Sequence, residues 1–421
     1  MNILVIGNGF DLAHGLPTMY WDFLMFTKVF KIIENKTEAQ IRIMPMFKKL
    51  NVDIQEFLLQ EEIRCKDKRV GVWKEFDELL SGNIWMKHFD NKADEYRDKG
   101  WIDFESEISD VIKSIDYGIR FTKYDIEKSH ADYPDSNIVK ENLFNDFINK
   151  YERLKNSDEL KKSVARCLYG ENVKKFVDDI YNDLSGLIRC LEIYLGKVIE
   201  EYYNVKTKVP EIEKLKIDKV LSFNYSHTYN KYYEDSNTIE YDYIHGEVDT
   251  HRDIENNNMV LGIDEYLSDE ERNERLELIK FKKYFQRIYK KTGCIYKRWI
   301  EEMKSEYKQY INAKKAVGDL AYISGGEEDI NNETKEILKN NGGKHNIFII
   351  GHSLDVTDKE ILSDLILLEN ATITIFYYDE KAYTQQIGNL VKLIGQDTLI
   401  DMVYGSNPKI IFEKQIKIEN K

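Results

Sequence analysis

The sequence predicts an α/β protein: an open parallel sheet assembled from both ends of the chain, interrupted by large α-helical insertions. Three observations carry this. Apolar runs of strand length end in Gly or Asn near the start, middle and end of the chain, at Asn2–Gly7, Lys219–Asn224 and Ile347–Gly351. Such runs, apolar without strict alternation, fit strands buried on both faces. Beyond Ile347, helical and strand signals alternate, as in sheets with crossover helices. A long helical block separates the first run from the second.

Taken in order, Asn2–Ile6 passes directly into Gly7-Asn8-Gly9, a strand followed by a tight turn. Helical spacing then dominates. Phe76, Leu79 and Leu80 follow Trp73; Phe104, Ile108, Val111 and Ile112 follow Trp101; a stripe from Val173 to Ile199 keeps a period near 3.6. Strands are expected again at Lys219–Phe223, Ile239–Ile244 and Met259–Ile263. A second helical block follows, and its centre, Lys280–Arg298, holds eight Lys/Arg and no acid. There Phe281, Phe285 and Ile288 are expected to face the core, with Lys and Arg in solvent. A nucleic-acid face is the alternative. A polar loop, Gly325–Asn332, leads to Ile347–Gly351. Then come a helix (Asp358–Leu368), a strand (Thr372–Tyr377), a helix (Lys381–Leu393) and a last apolar segment, Ile410–Phe412. The expected division is a sheet core from 1–20, 215–267 and 317–421, a helical insertion 21–214, and a second, basic helical insertion 268–316.

Composition narrows the function classes. With 421 residues, 42% hydrophobic and 12% aromatic, the chain has material for a sizeable core and more than one domain. Lys+Arg 61 against Asp+Glu 75 leaves a net charge of −14, which works against indiscriminate nucleic-acid binding. The 4 cysteines are far apart with no C-x-x-C pair, so neither a zinc ribbon nor a dithiol motif is encoded. That usage suits a reducing compartment. No apolar run approaches the ~18 residues of a membrane span. The opening residues read as strand and turn rather than a leader. A cytoplasmic protein without membrane association is expected.

Ligands of open parallel sheets bind at the carboxyl ends of the strands, and here those ends carry unusual residues. Gly7-Asn8-Gly9-Phe10-Asp11, with Gly15-Leu16-Pro17 beyond, suits backbone approach to a phosphate; a plain turn needing φ > 0 is the alternative. Asn224 could hold a ribose or a water, or cap the next helix. His245, in Ile244-His245-Gly246, could serve as a general base or as a turn residue. Ser353, after Gly351-His352, suits ribose or phosphate contact; Ser353, Asp355 and Asp358 are also capping candidates. Asp11, His14, His352 and Asp355 could be drawn as a metal site, but i,i+3 polar pairs are common at helix starts and no metal is expected.

Together these motifs resemble the sirtuin signature. GNGFDLAHGLP has the spacing of G-A-G-I-S-x-x-x-G-I-P through Gly7, Gly9, Gly15 and Pro17. SFNYS looks like T-Q-N-I-D with Asn224 as the shared Asn, IHG like the strand-end H-G with His245, and GHSL like G-T-S-L with Gly351 and Ser353. The N-terminal GNGFDLAHGLPT, a Trp-x-Asp-Phe-Glu at Trp101–Glu105, NYS, IHG and IFIIGHSLD are further similar to the AbiH family of bacterial abortive-infection proteins. The resemblance implies a Rossmann-like, sirtuin-like core and a role in stopping phage spread. It implies Asn224 and His245 as catalytic, Gly7, Asn8, Gly9, Phe10, Asp11, Gly351 and Ser353 as cofactor-binding, and NAD⁺ as a substrate that is hydrolysed, with no metal. The zinc module of sirtuin deacetylases is missing, and Ser226 replaces the Asp two residues after the shared Asn, which argues against acyl-lysine chemistry. A nucleotide ligand and a phage-derived trigger are expected. A non-catalytic nucleotide-binding sensor, a nucleic-acid-directed effector using residues 280–298, and homo-oligomer formation stay open as alternatives.

Overall fold

A computed structural model describes residues 1–95, 102–124, 143–151, 171–205, 207–234, 238–268, 271, 276–324, 332–339, 343 and 345–416. The chain divides into two compact units, one of Met1–Leu16, Val205–His245 and Thr292–Lys421, the other of Pro17–Asn204 and Gly246–Lys291. Trp101 and the polar stretch 325–331 lie outside the described residues.

The first unit is built on a six-stranded sheet. Its strands are β1 (Asn2–Ile6), β2 (Lys219–Ser222), β3 (Glu240–Tyr243), β4 (His345–Ile350), β5 (Ala371–Tyr377) and β6 (Ile410–Lys414). The order is β3-β2-β1-β4-β5-β6, and every neighbouring pair is parallel. β1 lies between β2 and β4, with Ile3 opposite both Lys219 and Ile347. The three apolar runs of the sequence are therefore neighbours, and their carboxyl ends emerge along one edge. The strand order reverses between β1 and β4, where loops from opposite faces diverge and leave a crevice.

Side-chain alternation sends residues to both faces, and both are covered. Ile3, Val5, Ile347, Ile349, Ile373 and Ile375 pack with Trp299 and Met303 of the helix Tyr296–Ser324, with Leu362 and Leu365 of Lys359–Ile366, and with Leu390 of Glu380–Ile394. Leu4, Ile6, Val220 and Ile350 pack with Phe10 of the short helix Asn8–Ala13, Ile212 of Pro210–Glu213 and Tyr229 of Thr228–Tyr233. Double coverage is why the strands read as nearly continuous apolar runs.

The second unit is helical. The stripe from Val173 becomes the helix Glu171–Ile193, which continues as a π-helix over Tyr194–Glu200. Its Phe176, Ile180, Leu184, Leu187, Leu191 and Ile199 are buried. Phe26, Phe30, Phe57, Trp73, Phe76 and Tyr194 form an aromatic cluster at centroid separations of 5.0–6.3 Å. Arg189, 2% exposed, bridges Glu75 and Glu192. Among the described residues no helix is long and apolar enough to cross a membrane.

Two expectations fail in this unit. Met259–Ile263 is not a strand: Ile263 makes an isolated bridge with Lys282, and Gln286 replaces a strand neighbour. The Leu261 N–H donates to Gln286 Oε1, and Gln286 Nε2 donates to the Leu261 carbonyl. The segment is apolar because it is buried, but a side-chain amide rather than a ladder satisfies its backbone. The basic segment keeps only part of its expected face: Phe281 is fully buried, but the helix Lys283–Lys290 turns otherwise. Ile288 is 70% exposed, whereas Lys282, Lys283 and Gln286 are buried. Lys282 pairs with Glu265 at 3.0 Å, and Lys283 with Glu105 at 2.6 Å. Pairing with these carboxylates makes it possible to bury the ammonium groups.

Asp22, half-buried at the start of the helix Tyr20–Ile32, accepts the Met19 N–H at 3.2 Å. Burial pushes its carboxyl up from 3.8 to about 6. Ionised Asp22 therefore costs stability above pH 6, and the cost disappears as pH falls below its unfolded value. Asp22→Asn, which keeps the acceptor, should stabilise the protein by about 1–2 kcal/mol at pH 7 and by nothing near pH 4. Urea melts at the two pH values check this; equal differences at both would refute it.

Candidate functional site

At the carboxyl edge of the sheet, the turns after β1 and β4 interlock through glycines. Gly351 ends β4 with φ +67, and a Cβ there would lie 2.0 Å from the Phe10 nitrogen and 2.5 Å from the Gly9 carbonyl carbon. A Cβ on Gly7 or Gly9 would meet Gly351 at 2.7 or 2.8 Å. Backbone bonds close the contact: Gly7 N–H donates to Ile350 O at 3.1 Å and Gly9 N–H to Gly351 O at 2.8 Å. The two amides are thus engaged by the neighbouring strand end. Phe10 is buried in the core against His14 at 4.6 Å and Tyr233 at 5.8 Å, while Asn8 is exposed.

The end of β2 is tied to this turn. Asn224, 5% exposed, donates from Nδ2 to Gly7 O at 3.0 Å. Ser222 Oγ spans the bend by donating to Asn224 O and accepting from Asn224 N. Ser226 Oγ donates to Asp11 Oδ2 at 2.6 Å, so the residue standing where the sirtuin pattern has Asp holds the carboxylate of Asp11. Gly7 is the N-terminal boundary of the helix Asn8–Ala13, and no side chain caps it.

His245 follows β3 and is 8% exposed. Its Nε2 lies 3.8 Å from Asp358 Oδ1. The other oxygen, Oδ2, lies 3.5 Å from Nε2 of His352, which is 6% exposed. The Phe223 ring flanks both imidazoles, with centroids 4.3 Å from His352 and 5.8 Å from His245. The fold thereby gathers Asn224, His245, His352, Asp358 and the Asp11–Ser226 pair from the four chain segments that follow β1, β2, β3 and β4.

A cavity of about 480 Å³ opens beside this cluster, over the ends of β1, β4, β5 and β6. That is the usual size of a small-molecule site. Gly9, Gly351, His352 and Ser353 line one side; Phe376, Tyr377 and Tyr378 bring aromatic surface from the end of β5. Gln385 and Gln386 come from the helix Glu380–Ile394, and Gln415 from beyond β6. Asp, Glu, Lys and Arg are absent from the lining among the described residues. A neutral, flat group with hydrogen-bonding edges suits such walls. Gln386 Nε2 donates to His352 O and Phe376 O, and Asn389 Nδ2 to Ser353 O, so one helix face pins the loop after β4.

Of the residues singled out in the sequence, Gly9, Gly15, Gly351, His352 and Ser353 border the cavity, whereas Asn224, His245 and Asp11 stand in the buried cluster reached through His352. The sequence reading missed Asp358, the tyrosines after β5 and the glutamines. Asp358 had a helix cap to explain it, and glutamines carry no pattern. The drawn metal arrangement does not assemble. His14 is engaged at Nδ1 by Phe10 O and at Nε2 by the Tyr233 hydroxyl, and burial lowers its pKa. Asp355 caps Thr357 N–H. No group of three His, Cys, Asp or Glu among the described residues could hold a metal ion.

Searches against curated proteins and solved structures give no match. A family model does match, that of bacteriophage abortive infection AbiH, over residues 3–379. That span takes in β1 through β5 and both the glycine turns and the histidine cluster, and the chain belongs to the AbiH family.

Proposed function

We propose that this AbiH protein is an abortive-infection effector that binds NAD⁺ at the strand ends and hydrolyses it to nicotinamide and ADP-ribose. The observation carrying this reading is the joining of a neutral, aromatic- and amide-lined cavity to a buried Asn–His–Asp cluster through His352. The order β3-β2-β1-β4-β5-β6 is that of Rossmann-like dinucleotide sheets, whose ligands straddle the reversal between β1 and β4. In this reading the adenosine half takes the cavity, with Ser353 at its ribose. The nicotinamide ribose lies toward Asn224 and His245. Water attacks the anomeric carbon as the glycosidic bond breaks, and the bonding pair neutralises the nicotinamide ring nitrogen. His245 takes the proton that water loses, a role worth about 10²–10⁴-fold. Asp11, held by Ser226, faces the positive charge of the oxocarbenium-like state.

Incubating the purified protein with NAD⁺, and assaying phage-infected cells in parallel, tests this through nicotinamide release. NAD⁺ intact under both conditions would sink the hydrolase reading. A sensor that binds nucleotide without turnover is the second reading. It is favoured by the engagement of the Gly7 and Gly9 amides and of Asn224 Nδ2 within the protein. Binding without loss in infected cells would decide for it.

A further inference from the structure

We propose that Asp358 is a positioning residue that couples His352 to His245 and fixes the ring and proton of His245. The inference rests on the reading that His245 acts in catalysis. Asp358 occupies the N-terminal boundary of the helix Lys359–Ile366, where an Asp ordinarily accepts a helix N–H. Its side chain makes no such cap bond. The carboxylate is turned instead between two imidazoles, 3.8 Å from His245 Nε2 and 3.5 Å from His352 Nε2.

The protonation of His352 follows from its other nitrogen. Leu354 N–H donates to His352 Nδ1 at 2.9 Å, so Nδ1 is an acceptor and a neutral ring carries its proton on Nε2. That nitrogen lies 3.5 Å from Asp358 Oδ2. Leu354 holds this geometry with φ +58 and a fully buried side chain. One oxygen of the carboxylate is thereby committed to His352, and the other is presented to His245. The adjacent Phe223 ring keeps this space apolar. A carboxylate so placed holds the His245 proton on Nε2 and stabilises the imidazolium formed when the ring takes a second proton, as in other His–Asp pairs. Because His352 also lines the cavity, a ligand there presses on the same device.

The test uses full-length protein labelled with ¹⁵N-histidine, with His245→Gln and His352→Gln to assign the rings. In the wild type both rings should carry the proton on Nε2. In Asp358→Ala, His352 should keep that tautomer through Leu354, while His245 becomes a mixture of the two. Nicotinamide release by Asp358→Ala should fall about 10²-fold in kcat, with KM for NAD⁺ within twofold. Asp358→Glu should recover part of the loss. If Asp358→Ala does not fold, Asp358→Asn, which keeps bulk but loses charge, takes its place. An unchanged His245 spectrum would overturn the inference even if NAD⁺ is hydrolysed. If the wild type leaves NAD⁺ intact yet the His245 tautomer depends on Asp358, the positioning role stands and the hydrolase reading falls.

Discussion

Gly351→Ala should destabilise the sheet unit by at least about 4 kcal/mol, and Gly388→Ala, in the same unit, should stabilise it by about 0.5–1 kcal/mol. The contrast comes from what a methyl group meets. At Gly351 the backbone has φ +67, and the added carbon would fall 2.0 Å from the Phe10 nitrogen. That neighbour is backbone in the first helix and cannot turn aside as a side chain could. Either the β1 turn or the β4 end has to move, and Gly9 N–H then loses Gly351 O as acceptor. At Gly388, within the helix Glu380–Ile394, a Cβ meets nothing within 4 Å, and Ala has the better helix propensity. Urea denaturation of the two variants gives the measurement. A loss below about 1 kcal/mol for Gly351→Ala would show that the interlock of the two turns is wrong. Because Gly9 and Gly351 also border the cavity, Gly351→Ala should abolish nucleotide binding in whatever fraction still folds.

The second large effect is on the reaction. Asn224→Ala and His245→Ala should each reduce NAD⁺ hydrolysis by about 10²–10⁴-fold, or roughly 3–5 kcal/mol of barrier. Their stability costs should differ from one another. Asn224 is buried and ties the ends of β1 and β2 through Gly7 O, so its loss should cost about 1–3 kcal/mol. Gly7 O retains Phe10 N–H as a donor, which keeps the cost from the upper end of that range. His245 is buried beside the Phe223 ring and lies 3.8 Å from Asp358, so its truncation to Ala should cost about 1 kcal/mol. Nicotinamide release and urea midpoints on the same samples separate the effects. Activity lost in Asn224→Ala in proportion to folded protein would assign Asn224 a structural role alone. Full activity in both variants would eliminate them as catalytic residues.

The strands were legible in the sequence because their signal is local. Ile3–Ile6, Val220–Leu221 and Ile347, Ile349 and Ile350 are buried between two helical layers, so apolar side chains fill nearly every position, and the glycine after β4 marks a turn that only glycine can make. The stripe of Glu171–Ile193 was legible for the same reason, since one period of 3.6 places its core face. The family match spans residues 3–379, which include these stretches. Partnerships between distant polar residues were not legible. Lys283 reads as a solvated lysine until Glu105 is brought to 2.6 Å, and Asp358 reads as a helix cap until His245 and His352 arrive on its two oxygens. Apolar burial is non-directional and leaves a periodic trace along the chain, whereas a buried charge depends on which single opposite charge or donor the fold delivers to it. The six strands were therefore legible in the sequence pattern, which also marked the buried Met259–Ile263 as a strand that the fold does not make, and the chemistry at the sheet edge was decided by tertiary structure.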